Sequence, residues 1–125
     1  METTIWKKLF LMDGPSARDK HGMVVLNSKA YIYGGNVSPE NLQLEDMWCF
    51  DFENISWFAK QNEVVGAVIE KIEPKSQVTP GKLAGLRLMK MNDERHFLLF
   101  GGINDQKQTQ NTLYIFDTER KEWKI

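Results

Sequence analysis

The sequence is poor in the features that announce chemistry or a compartment. Its 125 residues contain one cysteine, Cys49, and two histidines, His21 and His96. One cysteine can neither staple the chain nor build a multi-cysteine metal site. It fits a reducing compartment, so a cytoplasmic protein is expected. An excess of charge of one sign is missing too: 16 basic and 17 acidic side chains leave a formal charge of -1. A nucleic-acid binder needs a basic face against the phosphates, and an anionic membrane attracts clustered cations; neither partner is expected here. No apolar run is long enough to span a bilayer. The opening "METTIWKKLFLMDG" lacks the continuous apolar core and the small-residue cleavage site of a secretory leader.

Catalytic signatures are equally scarce. Neither GxxxxGK[ST] nor GxGxxG occurs, and Ser16 and Ser28 lie in turn-like text without a nucleophile elbow. Neither histidine has a second histidine or a carboxylate at metal-ligand spacing, so both are read as structural. Cys49 sits between Trp48 and Phe50 in strand-like text and is read as a buried thiol. Glu45 and Asp46 stand at a loop end, where capping and solvation account for them. No cofactor, no metal and no catalytic residue is expected, and the chain is not read as an enzyme.

What the sequence does have is a repeat. "KAYIYGG" (29–35) and "HFLLFGG" (96–102) each run an apolar strand into a glycine pair, 67 positions apart. Downstream, Trp48 and Tyr114, Asp51 and Asp117, and Trp57 and Trp123 all match at 66. A shared order of glycines, aromatic, aspartate and tryptophan at one spacing marks an internal duplication. Each unit reads as four antiparallel strands. "GMVVL" (22–26), "KAYIYG" (29–34), "MWCFDF" (47–52) and "SWFAK" make the first unit. "LRLMKM" (86–91), "HFLLFG" (96–101), "LYIFD" (113–117) and "EWKI" make the second. Turn text rich in Asn, Asp and Ser separates the strands. "AYIY" and "FLLF" are apolar throughout, which predicts burial on both faces. The glycines end strands where neighbouring backbone must come close.

These residues resemble the kelch repeat: an aromatic before Gly-Gly, then a spaced aromatic, then a spaced tryptophan. Here they are Tyr33-Gly34-Gly35, Trp48 and Trp57, and again Phe100-Gly101-Gly102, Tyr114 and Trp123. "GPSARDKHG" (14–22) resembles the Pro-x-x-Arg-x-x-His lead-in of kelch first strands, which makes Arg18 and His21 motif residues. The second unit departs there, with Pro80 and a displaced Arg87 but no histidine. The resemblance implies an all-β fold in which each unit is a four-stranded blade of a β-propeller. It covers nearly the whole chain as one kelch-like region, residues 1–125. Residues 3–11, with Trp6, are expected as the outer strand of a preceding or closing blade. Residues 16–61 form the first blade, 62–84 an inter-blade insertion and 85–125 the second blade.

Two blades are an incomplete propeller, because a blade is apolar on both faces and needs neighbours to cover them. The open faces call for further blades, a second copy or another chain. The leading functional expectation is a non-catalytic protein-interaction module whose inter-strand loops, 36–46, 58–80 and 103–112, share one rim and meet a protein partner. The candidate contacts are Asn36, Ser38, Glu40, Asn104, Asp105 and Lys107. The second expectation is a structural subunit that completes a larger propeller through its open blade faces. The third, an enzyme, would need a tyrosine and histidine cluster that two histidines do not supply.

Overall fold

A computed structural model describes residues 14–51 and 69–125. Among these residues there are twelve strands and no helix. The first unit contains β1 (Gly22–Leu26), β2 (Lys29–Tyr33), the short β3 (Asn36–Val37) and β4 (Leu42–Gln43), then β5 (Met47–Asp51) and β6 (Ile69–Ile72). The second contains β7 (Leu83–Ala84), β8 (Arg87–Lys90), β9 (His96–Phe100), β10 (Ile103–Asn104), β11 (Leu113–Asp117) and β12 (Glu122–Lys124). They build two four-stranded antiparallel sheets, ordered β1-β2-β5-β6 and β8-β9-β11-β12. The architecture is the expected pair of propeller blades, unclosed.

Turn chemistry sets the register. β1 and β2 are joined by Asn27 and Ser28, at φ 53° and 61°. Two successive left-handed residues match the twist of a tight hairpin, and Asn tolerates that region best after glycine. In the second sheet, Asp117 Oδ1 accepts the backbone N–H groups of Glu119 and Arg120, closing the turn into β12. Asp93 Oδ1 does the same for Arg95 and His96 ahead of β9. Each aspartate bonds to backbone just downstream of itself, which is why the sequence bends there.

The core lies between the two sheets. Val24, Leu26, Tyr31, Tyr33, Met47, Cys49 and Ile72 of the first face Leu88, Phe97, Leu99, Phe116 and Trp123 of the second, with Leu83 and Leu86 of the connection. Aromatic rings mesh at this seam. Tyr31 meets Phe97 at 5.4 Å between ring centres, and Tyr33 meets Trp123 edge-on at 5.5 Å. Both are favourable ring geometries. Tyr33 also donates its hydroxyl to the carbonyl of Gly81 at 2.6 Å, so the connection between blades is tied to the seam. That connection then shields the free edge of β12. Lys75 N–H donates to Lys121 O at 2.7 Å, and Trp123 N–H donates to Ser76 Oγ at 2.9 Å. An edge strand covered in this way offers fewer backbone groups for stray pairing.

Three expectations change. Ile69–Ile72, inside the stretch read as an inter-blade insertion, is the fourth strand of the first sheet, with Phe50 opposite Ile69. In the second sheet Trp123 stands opposite Phe116, so Ile69 occupies the position the repeat had assigned to Trp57. The extra residues therefore lie between Asp51 and Ile69, and both of these anchors sit at the end of the sheet away from the glycines. The connection expected on the glycine rim does not start there. The third change concerns β9: Phe97 and Leu99 are buried, whereas Phe100 is 44% exposed. Its strand is covered on one face only, unlike β2, where Ala30, Tyr31, Ile32 and Tyr33 are all buried. The outer strand expected at 3–11, Trp6, and "SWFAK" with Trp57 lie outside the described residues.

Candidate partner-binding rim

The glycine pairs sit at one common end of both sheets, and backbone from several segments is stitched together there. Gly34 and Gly35 adopt φ of 66° and 109°. A Cβ on Gly34 would stand 2.5 Å from the carbonyl oxygen of Leu83, which no side chain tolerates. That close approach is used: Gly35 N–H donates to Leu83 O at 2.8 Å, joining the first glycine pair to the strand that begins the second unit. On one side, Asp19 and Asn36 exchange backbone hydrogen bonds at 2.7 and 3.0 Å, and β3 pairs with β4. On the other, Leu83 N–H donates to Leu44 O at 3.1 Å, β7 pairs with β10, and Gln110 N–H donates to Gly102 O at 2.9 Å. A band of main-chain bonds thus crosses the rim from residue 19 to residue 110 and holds both post-glycine loops.

Behind the band is an ion pair. The Arg18 side chain is 4% exposed, and its two terminal nitrogens donate to Asp46 Oδ1 at 2.6 Å and Oδ2 at 3.0 Å. Arg18 also donates to Gly34 O, and Trp48 Nε1–H donates to Asp46 Oδ2 at 2.8 Å. Burial works against the Asp46 charge, but the hydrogen bonds from Arg18 and Trp48 outweigh it and hold the carboxyl below its usual range. Asp46, read from the sequence as a solvated loop-end residue, is therefore a half-buried anchor for the glycine turn. His21 packs its Cα and Cβ against Gly35. His96 Nδ1 lies 2.7 Å from Asp93 Oδ2, and burial pushes the Cys49 thiol up.

Among the described residues the second blade has no such pair at its rim. Its bidentate pair is at the opposite end, where Arg95 Nε and one terminal nitrogen donate to Asp117 at 2.9 and 2.8 Å. Those bonds from Arg95 hold the Asp117 carboxyl well below the ordinary carboxylate range.

The candidate contact residues fall into distinct places on the rim. Glu40, Asp105 and Lys107 come together with Glu45 and Lys82 around a groove of about 710 Å³. A second groove of about 500 Å³ takes Lys107 again, with Asn36 and Lys20. Ser38 stands apart, in a shallow depression beside Ala17, Arg18 and Asp19. Asn104 lines neither groove. Its Oδ1 accepts the N–H groups of Gln106 and Gln108, so it braces its own loop. Tyr33, Gly34, Gly35, Phe100, Gly101, Gly102, Tyr114 and Trp123 occupy matching places in the two sheets, with Trp48 opposite Ile32 as Tyr114 is opposite Leu99. Sequence reasoning missed Lys20, Lys82 and Gln43 as lining residues. They lie in three separate segments and only the cross-rim pairing gathers them. Among the described residues no group of three or more His, Cys, Asp or Glu could hold a metal ion, and no helix could cross a membrane.

Comparison with known proteins follows the same outline. The family described as Attractin/LZTR1 beta-propeller matches residues 1–125. Among curated relatives, the chain is 30% identical over 123 residues, 96% of its own length and 31% of the relative's, to an N-(sulfonatooxy)prop-2-enimidothioate sulfolyase of Thlaspi arvense. It is 26% identical to the dynein alpha chain of the flagellar outer arm of Chlamydomonas reinhardtii, over 88% of this chain and 2% of that one. It is 29% identical to acyl-CoA-binding domain-containing protein 5 of Arabidopsis thaliana, over 89% of this chain and 16% of that one. The chain thus spans less than a third of the length of each of these curated relatives.

Proposed function

The chain belongs to the Attractin/LZTR1 β-propeller family, of kelch type, and from that premise we propose that it is a non-catalytic interaction module holding its 36–46 and 103–112 loops out to a protein partner in the cytoplasm. The band of main-chain hydrogen bonds across the rim carries this reading. Loops already fixed to each other lose little conformational freedom when a partner docks, so more of the contact energy appears as affinity. The relatives support a modular role. A dynein chain, an acyl-CoA-binding domain protein and a sulfolyase share this segment while their printed names differ widely. Two residues of catalytic type have other work: Cys49 is buried, which raises its thiol pKa, and His96 is held by Asp93.

Glu40 and Asp105 are exposed, line one groove and form no side-chain hydrogen bond or ion pair among the described residues, so they test the reading cleanly. Once a partner has been identified by crosslinking to the full-length protein, Glu40→Lys with Asp105→Lys should abolish its capture and leave the unfolding transition in place. Undiminished capture by the double variant would show that the rim is not the docking surface.

One observation favours a second reading, in which the module completes a larger assembly. Met89, Phe100 and Leu113 are each at least 44% exposed on the sheet face of the second blade that points away from the first. In a propeller that face receives the next blade.

A further inference from the structure

We propose that Thr79 is the acceptor of a proline-directed protein kinase, and that its phosphate releases the strap that residues 73–82 form between the two blades. Of the four prolines, only Pro39 and Pro80 follow a serine or threonine. Lys82 stands three positions after Thr79, whereas Asn41 stands three after Ser38. A hydroxyl residue, then proline, then a cation at that spacing is the pattern a proline-directed kinase reads.

The structure makes this pattern accessible. Residues 73–82 hold neither strand nor helix, and Thr79 and Lys82 are both exposed. A residue before proline favours extended backbone, the form in which a kinase cleft takes its substrate. The hydroxyl is free as well. Ser76 Oγ, the other hydroxyl of the strap, accepts the Trp123 N–H at 2.9 Å and donates to Val78 O at 2.8 Å. Among the described residues Thr79 Oγ1 has no hydrogen-bond partner.

What the phosphate meets sets the outcome. Thr79 lines a cavity of about 200 Å³ with the carboxylates of Glu45 and Glu73, against Tyr33 and Trp123, and no cation lines it. Lys82 lines the neighbouring groove instead. The kinase moves the γ-phosphoryl group of ATP onto Thr79 Oγ1; ADP leaves, and the hydroxyl proton passes to the kinase's base. The product carries about −1.5 to −2 charge at pH 7, and beside two carboxylates that charge is repelled, so the strap moves outward. Two sets of ties flank Thr79. On one side Lys75 N–H and Ser76 Oγ cover Lys121 O and the Trp123 N–H at the free edge of β12. On the other, Gly81 O accepts the Tyr33 hydroxyl at 2.6 Å. Phosphorylation therefore uncovers backbone groups of an edge strand and unties the connection from the seam.

The test treats the full-length protein with ATP and a purified proline-directed kinase that requires a basic residue at the third position, with a synthetic peptide of residues 73–85 as control substrate. Mass spectrometry should place phosphate on Thr79 in both, and none on this segment in Thr79→Ala. Hydrogen exchange read by NMR should then be roughly tenfold faster at the Trp123 amide and across 75–82, the effect of losing about one hydrogen bond's net stability, while the β9 amides hold. Glu45→Gln with Glu73→Gln removes the repelling charge, so that variant should take the phosphate and keep its slow exchange. A peptide modified without the protein, or neither modified, would overturn the site. Phosphate on Thr79 with unchanged exchange would overturn the release, as would slower exchange, which a new phosphate–lysine tie produces. Equal acceleration in the glutamine variant would remove repulsion as the cause.

Discussion

One face of the repeat appears twice in this molecule, once covered and once bare. In the first sheet it carries Val24, Tyr31, Tyr33 and Met47, all buried against the second sheet. The matching face of the second sheet carries Met89, Leu98, Phe100 and Leu113, and three of these four are near half exposed. The residue types are alike, so the difference comes from the neighbour and not from the strand. A blade face is built for a partner sheet whether or not one is present, and its exposure measures what packs on it. The two blades also differ in how they are locked: the first by Arg18–Asp46 at the glycine rim, the second by Arg95–Asp117 at the far end.

The comparison breaks most visibly at the seam. Phe97 is fully buried and touches Tyr31, Phe116 and Trp123, whereas its counterpart in the first sheet is Ala30. Phe97→Ala should cost about 3–5 kcal/mol in urea unfolding, from lost burial and the cavity left behind. A loss below about 1 kcal/mol would mean that the sheets are not held by this seam.

The glycine pairs come next, because they are alike in sequence and unlike in surroundings. Gly101 is at φ 83° with open space where a Cβ would stand. Gly101→Ala should cost only the left-handed penalty, roughly 1–2 kcal/mol. Gly34→Ala adds a collision with Leu83 O to the same penalty, so it should be the more damaging of the two and should loosen the contact between the units. Equal losses for the two variants would remove the close-approach argument.

The latches give a smaller and pH-dependent effect. Arg18→Ala removes charge-assisted bonds to a part-buried carboxylate and should cost roughly 1.5–3 kcal/mol. The Asp46 carboxyl titrates below its unfolded value. Its contribution is therefore complete above the ordinary carboxylate pKa and is lost as pH falls through the folded value. Unfolding followed from pH 7 downward should show an acid limb that begins near pH 4. Arg18→Ala and Asp46→Asn should each make that limb shallower. Asp117, also depressed, adds to the same limb, so Asp46→Asn alone should leave part of it.

Much of this was legible in the sequence. Seven of the eight strands in the two four-stranded sheets were readable, because short apolar or alternating runs are bounded by Asn, Asp and Ser, the glycine pairs mark where each inner strand stops, and Trp123 marks β12 at the repeat spacing. β6 was hidden: "IEKI" carries two charges in four residues, and Trp57 offered a competing match at the repeat spacing. Arg18 and Asp46 are 28 residues apart, so their pairing follows from the fold and not from local pattern. The rim groove shared by Lys20 and Lys107 is less legible still. It depends on left-handed turns at two lysines, which no residue preference announces, and on the cross-rim bonding that brings Lys20 beside Lys107. "FLLF" reads as buried on both faces because apolarity records what a surface is suited to touch, and only the assembled structure says whether it is touched.

That last point is the finest test of the comparison. Tyr33 and Phe100 occupy the same place in their sheets, beside the first glycine of each pair, yet Tyr33 is 2% exposed and Phe100 is 44% exposed. Phe100→Ser should leave the chain's own unfolding free energy within about 0.5 kcal/mol of the parent, as surface substitutions do. The same change at Tyr33 should be several times more costly, since it removes the edge-on contact with Trp123 and the hydrogen bond to Gly81. If the bare face receives another sheet, concentration-dependent light scattering of the parent should report association that Phe100→Ser weakens, even though unfolding at high dilution barely changes. A large loss of stability in dilute Phe100→Ser would instead show that Phe100 is already packed within the chain, and the contrast between the two faces would collapse.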